Sequence, residues 1–191
     1  MESLAAINPN LSKFRLRRNI PLLKKYGLSS FSFFKKKPLR LTVYVNDICN
    51  SRCTTCYIWK NKENVLLEPE HIHRFIDESF ALFGRQQVTL TGGEPLLWPG
   101  IYGIIDYIFQ KGGSAHLLTN GLLLTERVID RLALSNIGSI AISLNSADPA
   151  IHDESRGIRG NTERIFAAVR YIREKYPEIS LVFTSIIYSE L

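Results

Sequence analysis

The strongest constraint on this chain is a rhythm. Five short stretches rich in β-branched and aromatic residues alternate with longer amphipathic ones, and no two-residue hairpin signal interrupts them. The strand-like stretches are LRLTVYV (39–45), QQVTLT (86–91), SAHLLTN (114–120), IGSIAISLN (137–145) and ISLVFTSIIY (179–188). Between them, EPEHIHRFIDESFALF (68–83), GIYGIIDYIFQKG (100–112), TERVIDRLALSN (125–136) and GNTERIFAAVRYIREKY (160–176) read as helices. Pro69 stands early in the first helix and Gly84 just past its end, the places where each is favoured. Parallel strands need crossovers of this kind, so the pattern predicts an α/β fold with a parallel sheet, doubly wound or curled towards a barrel. The chain stops directly after the fifth strand, which leaves an exposed edge or a missing continuation and suggests a fragment or a truncated reading frame.

A chain of 191 residues with 45% hydrophobic and 22% charged content has the makings of one packed core. No apolar run approaches a membrane span and no signal peptide is recognisable. The net charge of +6 is an average of unlike parts. Residues 1–40 hold ten Lys/Arg against one acid, Glu2, whereas the other 151 hold 14 basic and 17 acidic residues. The organisation expected is therefore a basic N-terminal arm over 1–38 and a main domain over 39–191. The arm suits an anionic partner or a membrane surface, although a charge run of this kind also serves as a simple solvated or packed extension.

The residues that carry chemistry gather at strand ends. Cys49, Cys53 and Cys56, all the cysteines of the chain, follow the first strand; GGEP (92–95) follows the second, TNG (119–121) the third, and SLN (143–145) ends the fourth. A parallel sheet brings such positions to one face, where α/β folds place their active sites. Clustered thiols without partners elsewhere argue against a disulfide scaffold and for a reducing, cytoplasmic setting. The C-x3-C-x2-C spacing lets three thiolates converge on a soft metal centre. Zinc prefers a closed tetrahedral set or a three-ligand catalytic set, and His71 and His73 complete no familiar spacing. A cubane iron–sulfur cluster held by three cysteines leaves one iron open for a ligand that is not protein. Gly92 and Gly93 allow backbone to approach closely at a sharp strand exit.

CNSRCTTC (49–56) resembles the cluster loop of radical S-adenosylmethionine enzymes, and LTGGEPLLWP (90–99) resembles their glycine–glycine–glutamate–proline motif. LLTNGLLLTERV and ISLNSADPAIHDESRG are similar to the later strands of members with a C-terminal accessory-cluster domain, and of the cyclase that begins molybdenum-cofactor synthesis. The resemblance covers residues 39–188. It implies a partial (βα)6 TIM-like barrel, apparently truncated after the fifth strand. It also implies that Cys49, Cys53 and Cys56 ligate a [4Fe–4S] cluster whose fourth iron takes the amino and carboxylate groups of S-adenosylmethionine. An external electron donor would then drive cleavage to a 5′-deoxyadenosyl radical that abstracts a hydrogen from a small-molecule or peptide substrate.

In that reading Gly92, Gly93 and Glu94 border the cofactor, Glu94 accepting from its ammonium. Thr119, Asn120, Ser143 and Asn145 are short polar groups suited to ribose hydroxyls and carboxylate, and Arg156 suits the methionine carboxylate as a bidentate partner. Family members commonly carry an aromatic before the third cysteine; Thr55 stands there and Tyr57 follows Cys56, which makes Tyr57 the aromatic candidate. Asn145 occupies a place where relatives often have aspartate. His116 reads as a packing histidine, and His152 as a structural residue fixing the loop that carries Arg156. The rival from another class is a non-catalytic iron–sulfur or zinc-binding module.

Overall fold

The computed structural model describes residues 40–187; the basic arm, and the last residue expected in the fifth strand, lie outside them. Five strands, β1 (Arg40–Asn46), β2 (Gln87–Gly92), β3 (Ser114–Thr119), β4 (Ser139–Ser143) and β5 (Ser180–Thr184), form one parallel sheet in the order of the sequence. Helices α1 (Pro69–Phe83), α2 (Ile101–Gln110), α3 (Glu126–Leu134), α4 (Pro149–Arg156) and α5 (Asn161–Lys175) fill the connections. Sequential order excludes a doubly wound sheet, because no strand returns to the other side of β1. With right-handed crossovers it places every helix on one face, the half-turn of a barrel that is not closed. Neighbouring helices pack accordingly, α1 on α2, α2 on α3, α3 on α5 and α4 on α5.

The strand residues explain which face the helices cover. In β1, Leu41, Val43 and Val45 are buried while Thr42 and Tyr44 are exposed. The register sets Val43 beside Leu90, Leu90 beside Leu117, and Leu117 beside Ile140, so one apolar row crosses four strands. Helices meet it with isoleucines at helical spacing: Ile72 and Ile76 from α1, Ile104, Ile105 and Ile108 from α2, Ile165 and Ile172 from α5. Each such side chain contributes about 1.5–3 kcal/mol on burial. The opposite face is more polar, with Leu118, Ala141 and Val182 as its apolar row. There Thr42, Thr89, His116 and Ser139 lie side by side by register. His116 is buried as a packing histidine should be, and its Nδ1 is hydrogen-bonded to Ser139 Oγ.

Helix α4 corrects the expectation of a loop around His152 and Arg156. Asp148 caps its start by accepting from Ala150 N at 2.9 Å, Pro149 takes the first helical position, and Gly157 ends it in the left-handed region at φ 64°. The eight residues carry no apolar stripe; those they bury are His152, Ser155 and Arg156. Polar burial hid the helix from a reading based on hydrophobic period. Replacing Asp148 with Ala should cost about 1 kcal/mol of stability, read as a lowered urea midpoint. An unchanged midpoint would show that this cap does not hold α4.

Candidate functional site

The three cysteines sit in a loop that is closed at its base. Leu67 N donates to Val45 O at 2.9 Å and Asp47 N to Val65 O at 3.2 Å, so the returning segment pairs antiparallel with the end of β1. Inside the loop Ser51 N donates to Cys49 Sγ at 3.4 Å, Cys56 N to Cys53 O at 3.3 Å, and Trp59 Nε1 to Cys53 O at 3.2 Å. All three thiols are free, Cys53 buried and the other two half-buried. Burial pushes the Cys49 thiol up, against the pull of the Ser51 amide. Among the described residues no three His, Cys, Asp or Glu side chains gather tightly enough to hold a single metal ion. A cubane asks for something looser, since it spreads its protein ligands over three irons.

The middle of the loop leans on α4. Arg52 N donates to Arg156 O and Thr54 N to Ser155 O, both at 3.1 Å, so loop amides satisfy carbonyls of the helix's last turn. On its other side the loop meets the β2 exit: Gly93 N donates to Asn46 O at 2.9 Å and Glu94 N to Ile48 O at 2.7 Å. A Cβ on Gly93 would stand 2.2 Å from Ile48 O, and one on Gly92 2.3 Å from Asn46 O. The glycine pair is therefore required by the approach of the cysteine loop itself.

Glu94 has no solvent exposure. Its Oε1 accepts from Thr119 Oγ1 at 2.7 Å and from Leu96 N at 3.1 Å, and its Oε2 from Asn120 N at 2.8 Å. Burial pushes this carboxyl up, while the three donors and the nearby Arg156 charge pull it down. Asn46 Nδ2 donates to Glu94 O at 3.0 Å, tying β1 to the same point. Asn120 is fully engaged: Nδ2 donates to Asn50 Oδ1 at 2.7 Å, Oδ1 accepts from Leu122 N at 2.9 Å, and its carbonyl accepts from Asn161 Nδ2 at 3.1 Å.

Asn145 Nδ2 donates to Ser155 Oγ at 2.9 Å, its Oδ1 accepts from Ile186 N at 3.2 Å, and its backbone N–H donates to His152 Nδ1 at 3.1 Å. The structure thus brings Cys49, Cys53, Cys56, Gly92, Gly93, Glu94, Thr119, Asn120, Asn145 and Arg156 into one connected set at the strand ends. Ser143 is half-buried at the end of β4. Tyr57 stands apart at 71% exposure with Lys60 Nζ 4.6 Å from its ring centroid.

Arg156 is 8% exposed, and its Nε has no hydrogen-bond partner among the described residues. It shares an electrostatic neighbourhood with Glu94 but forms no ion pair with it; the ion pairs among the described residues are Arg74–Glu78, Lys111–Asp77 and Lys175–Asp130. A buried cation and a buried carboxyl, near each other yet not in contact, match the two charged ends of an amino-acid zwitterion. That match, with three thiols at the same sheet edge, fits a cluster and S-adenosylmethionine. Asn46, Asn50, Ser155 and Asn161, which complete the set, had escaped the sequence reading. Asn46 meets Glu94 across 48 positions, Asn50 meets Asn120 across 70, Ser155 meets Asn145 across 10 and Asn161 meets Asn120 across 41, and no period reveals such pairs.

Comparison with known proteins decides the family. The Radical SAM superfamily model matches residues 43–190. This chain belongs to the radical SAM superfamily. It is 31% identical over 128 residues to an AdoMet-dependent heme synthase of Methanosarcina barkeri, a match covering 66% of this chain and 36% of the relative. A GTP 3′,8-cyclase of Streptomyces coelicolor is 34% identical over 118 residues, 58% of this chain and 34% of the cyclase. The subtilosin biosynthesis protein AlbA of Bacillus subtilis is 29% identical over 140 residues, 72% of this chain and 31% of that protein. Among solved structures, SuiB of Streptococcus suis bound to its precursor peptide SuiA superposes with a TM-score of 0.67 at 22% identity, over 96% of this chain and 39% of SuiB, which establishes the shared fold. The resemblance to the accessory-cluster and molybdenum-cofactor cyclase branches of the superfamily holds, and these radical SAM relatives are enzymes. The matched stretch spans about a third of each curated relative. The family implies S-adenosylmethionine and an iron–sulfur cluster. No helix among the described residues is long and apolar enough to cross a membrane.

His152 gives the site a pH dependence. The ring is wholly buried, with Nδ1 facing the Asn145 N–H and Nε2 3.2 Å from Asn161 Nδ2. With Nδ1 accepting from the Asn145 N–H, the neutral ring carries its proton on Nε2; a second proton, on Nδ1, would set N–H against N–H there, and burial with the Arg156 charge holds the pKa below its usual value. The unfolded ring titrates near ~6.5. Stability from the neutral ring is therefore complete above that pH and declines as pH falls towards the lower folded value, by up to about 1.4 kcal/mol per unit. The unfolding free-energy gap between wild type and His152→Asn should narrow from pH 7.5 to 4.5. A constant gap would mean that the ring is not held neutral.

Proposed function

We propose that this chain is the cofactor-binding part of a radical S-adenosylmethionine enzyme. Bound together, a [4Fe–4S] cluster and S-adenosylmethionine supply reductive cleavage of the sulfonium to methionine and a 5′-deoxyadenosyl radical that abstracts a substrate hydrogen, given an external electron donor. Cys49, Cys53 and Cys56 hold the cluster. The Arg156 guanidinium takes the methionine carboxylate, and Glu94, through acceptor capacity left on its Oε2, takes the ammonium. The single observation behind this assignment is the unpartnered, buried Nε of Arg156 beside Glu94.

Gly92 and Gly93 keep the strand exit against the cysteine loop; Thr119 and Asn120 fix the Glu94 carboxylate; Asn145 braces Ser155, one residue before Arg156. Ser143 lines the same edge, and Tyr57 offers an aromatic face for the adenine. The substrate class we favour is a ribosomally made peptide or protein, supported by the sequence likeness to AlbA and by the fold shared with SuiB. A cofactor precursor, suggested by the cyclase and heme synthase relatives, is the second reading.

Anaerobic reconstitution with iron and sulfide should load about four irons per chain, and reduction with S-adenosylmethionine should release 5′-deoxyadenosine. A cluster without deoxyadenosine would sink the enzyme reading, and one tightly bound zinc without a cluster would favour the metal-binding module. Cys53→Ala should abolish cluster loading; a variant that keeps a full cluster refutes the ligand assignment. Arg156→Lys keeps the charge but loses the planar fork. It should weaken S-adenosylmethionine binding about tenfold by calorimetry with iron content unchanged, in line with about 1.5 kcal/mol for one charge-assisted bond. Unaltered affinity would remove Arg156 from the site.

A further inference from the structure

The proposed cofactor contacts come from different strand ends: β3 and β4 are paired as far as Thr119 and Ile142, and beyond that rung the ladder does not fix the spacing of their exits at Asn120 and Asn145. We propose that His152 and Asn161 form a buried strut that sets this spacing, and that His152 is a positioning residue for S-adenosylmethionine. This rests on the function proposed above. Both residues have no solvent exposure. Asn161, at the start of α5, donates to the Asn120 carbonyl at the β3 exit, and its Nδ2 packs 3.2 Å from His152 Nε2; because Nδ1 is the acceptor, Nε2 carries the ring proton and this is a packing contact, not a hydrogen bond. His152, within α4, accepts from the backbone amide of Asn145 at the β4 exit. From these two residues hydrogen bonds run on to the two proposed charge partners. On the β3 side Asn120 N donates to Glu94 Oε2. On the β4 side His152 O accepts from Ser155 Oγ at 2.8 Å, and Ser155 also accepts from Asn145 Nδ2. The next residue is Arg156. The distance between the Glu94 carboxylate and the Arg156 guanidinium thus depends on an imidazole that touches neither.

The arrangement is specific to an acceptor at the Nδ1 position. An asparagine side chain places its Oδ1 close to where Nδ1 stands, so His152→Asn keeps the bond to Asn145. Phenylalanine fills the volume with no acceptor and leaves the Asn145 N–H without a partner in the interior. Packing alone predicts the reverse order, since phenylalanine preserves more buried contact than asparagine.

The experiment uses the full chain purified anaerobically and reads three quantities: amide exchange of the peptide 144–147, iron per chain, and calorimetric affinity for S-adenosylmethionine. His152→Phe should speed exchange at Asn145 at least tenfold and weaken affinity at least tenfold, with iron content as in wild type. His152→Asn should return exchange to within about threefold of wild type and recover most of the affinity. Asn161→Ala, which cuts the strut on its β3 side, should weaken affinity while Asn145 stays protected, and it carries the test if the phenylalanine variant does not fold. Wild-type exchange and affinity in His152→Phe, or His152→Asn no better than His152→Phe, would overturn the strut. If wild type itself fails to bind S-adenosylmethionine, the function proposed above fails, and the exchange comparison still decides whether the strut exists.

Discussion

A carboxylate with no access to water governs the architecture of this sheet edge. Burying Glu94 is costly unless donors meet it, and the fold supplies them from two directions: Leu96 N from its own turn, and Thr119 Oγ1 and Asn120 N from the end of β3. Those donors are available only if β2 and β3 end level with each other, which the register from Gln87–Ser114 to Leu90–Leu117 ensures. Asn46 then reaches across to the Glu94 carbonyl and brings β1 into line. A buried, hydrogen-bonded carboxyl group therefore does for three strand ends what apolar packing does for their middles.

The same economy of polar groups extends to the cysteine loop. Loops usually satisfy their amides with water, but here Arg52 and Thr54 donate to the last carbonyls of α4. Helix and loop each complete what the other leaves open. Gly157, in the left-handed region, makes this contact possible, since a Cβ there would lie 2.8 Å from Arg52 O. The loop is thus fixed by backbone rather than by side-chain packing, which leaves its thiols and its exposed residues at liberty to serve chemistry.

Much of this was legible in the sequence, for physical reasons that can be named. Strands such as QVTLTG and helices such as IYGIIDYIFQ announce themselves because burial imposes a period on apolar residues. The cysteine loop and GGEP were legible because their residue types are rare in such spacing. Helix α4 was not, although Asp148-Pro149 and Gly157 marked both of its ends, because a helix that buries histidine, serine and arginine leaves no apolar trace. The hydrogen-bonded set escaped for another reason. Asn50 meets Asn120 across 70 residues and Thr54 meets Ser155 across 101, and only the fold makes such residues neighbours. His152 was read as structural and Thr119 and Asn120 as ligand contacts; in the structure all three belong to one bonded scaffold.

The double anchoring of the cysteine loop has a practical side. Its first half, through Cys56, is pinned by α4 and by the β2 exit, and Trp59 adds one more tie to Cys53. Beyond that tie, residues 60–64 are exposed, and Asn64 carries a positive φ at the turn back towards Val65. Lys60 and Asn61 still hold to the loop, through Tyr57 O and Ile58 O, whereas Glu63 N meets only Asn61 Oδ1, at 3.3 Å, so positions 62–64 are the looser part. A fluorophore or an affinity handle inserted at 62–64 would sit a few residues from the three cysteines without touching their backbone ties to α4 and the β2 exit, giving a reporter at the site's own doorstep.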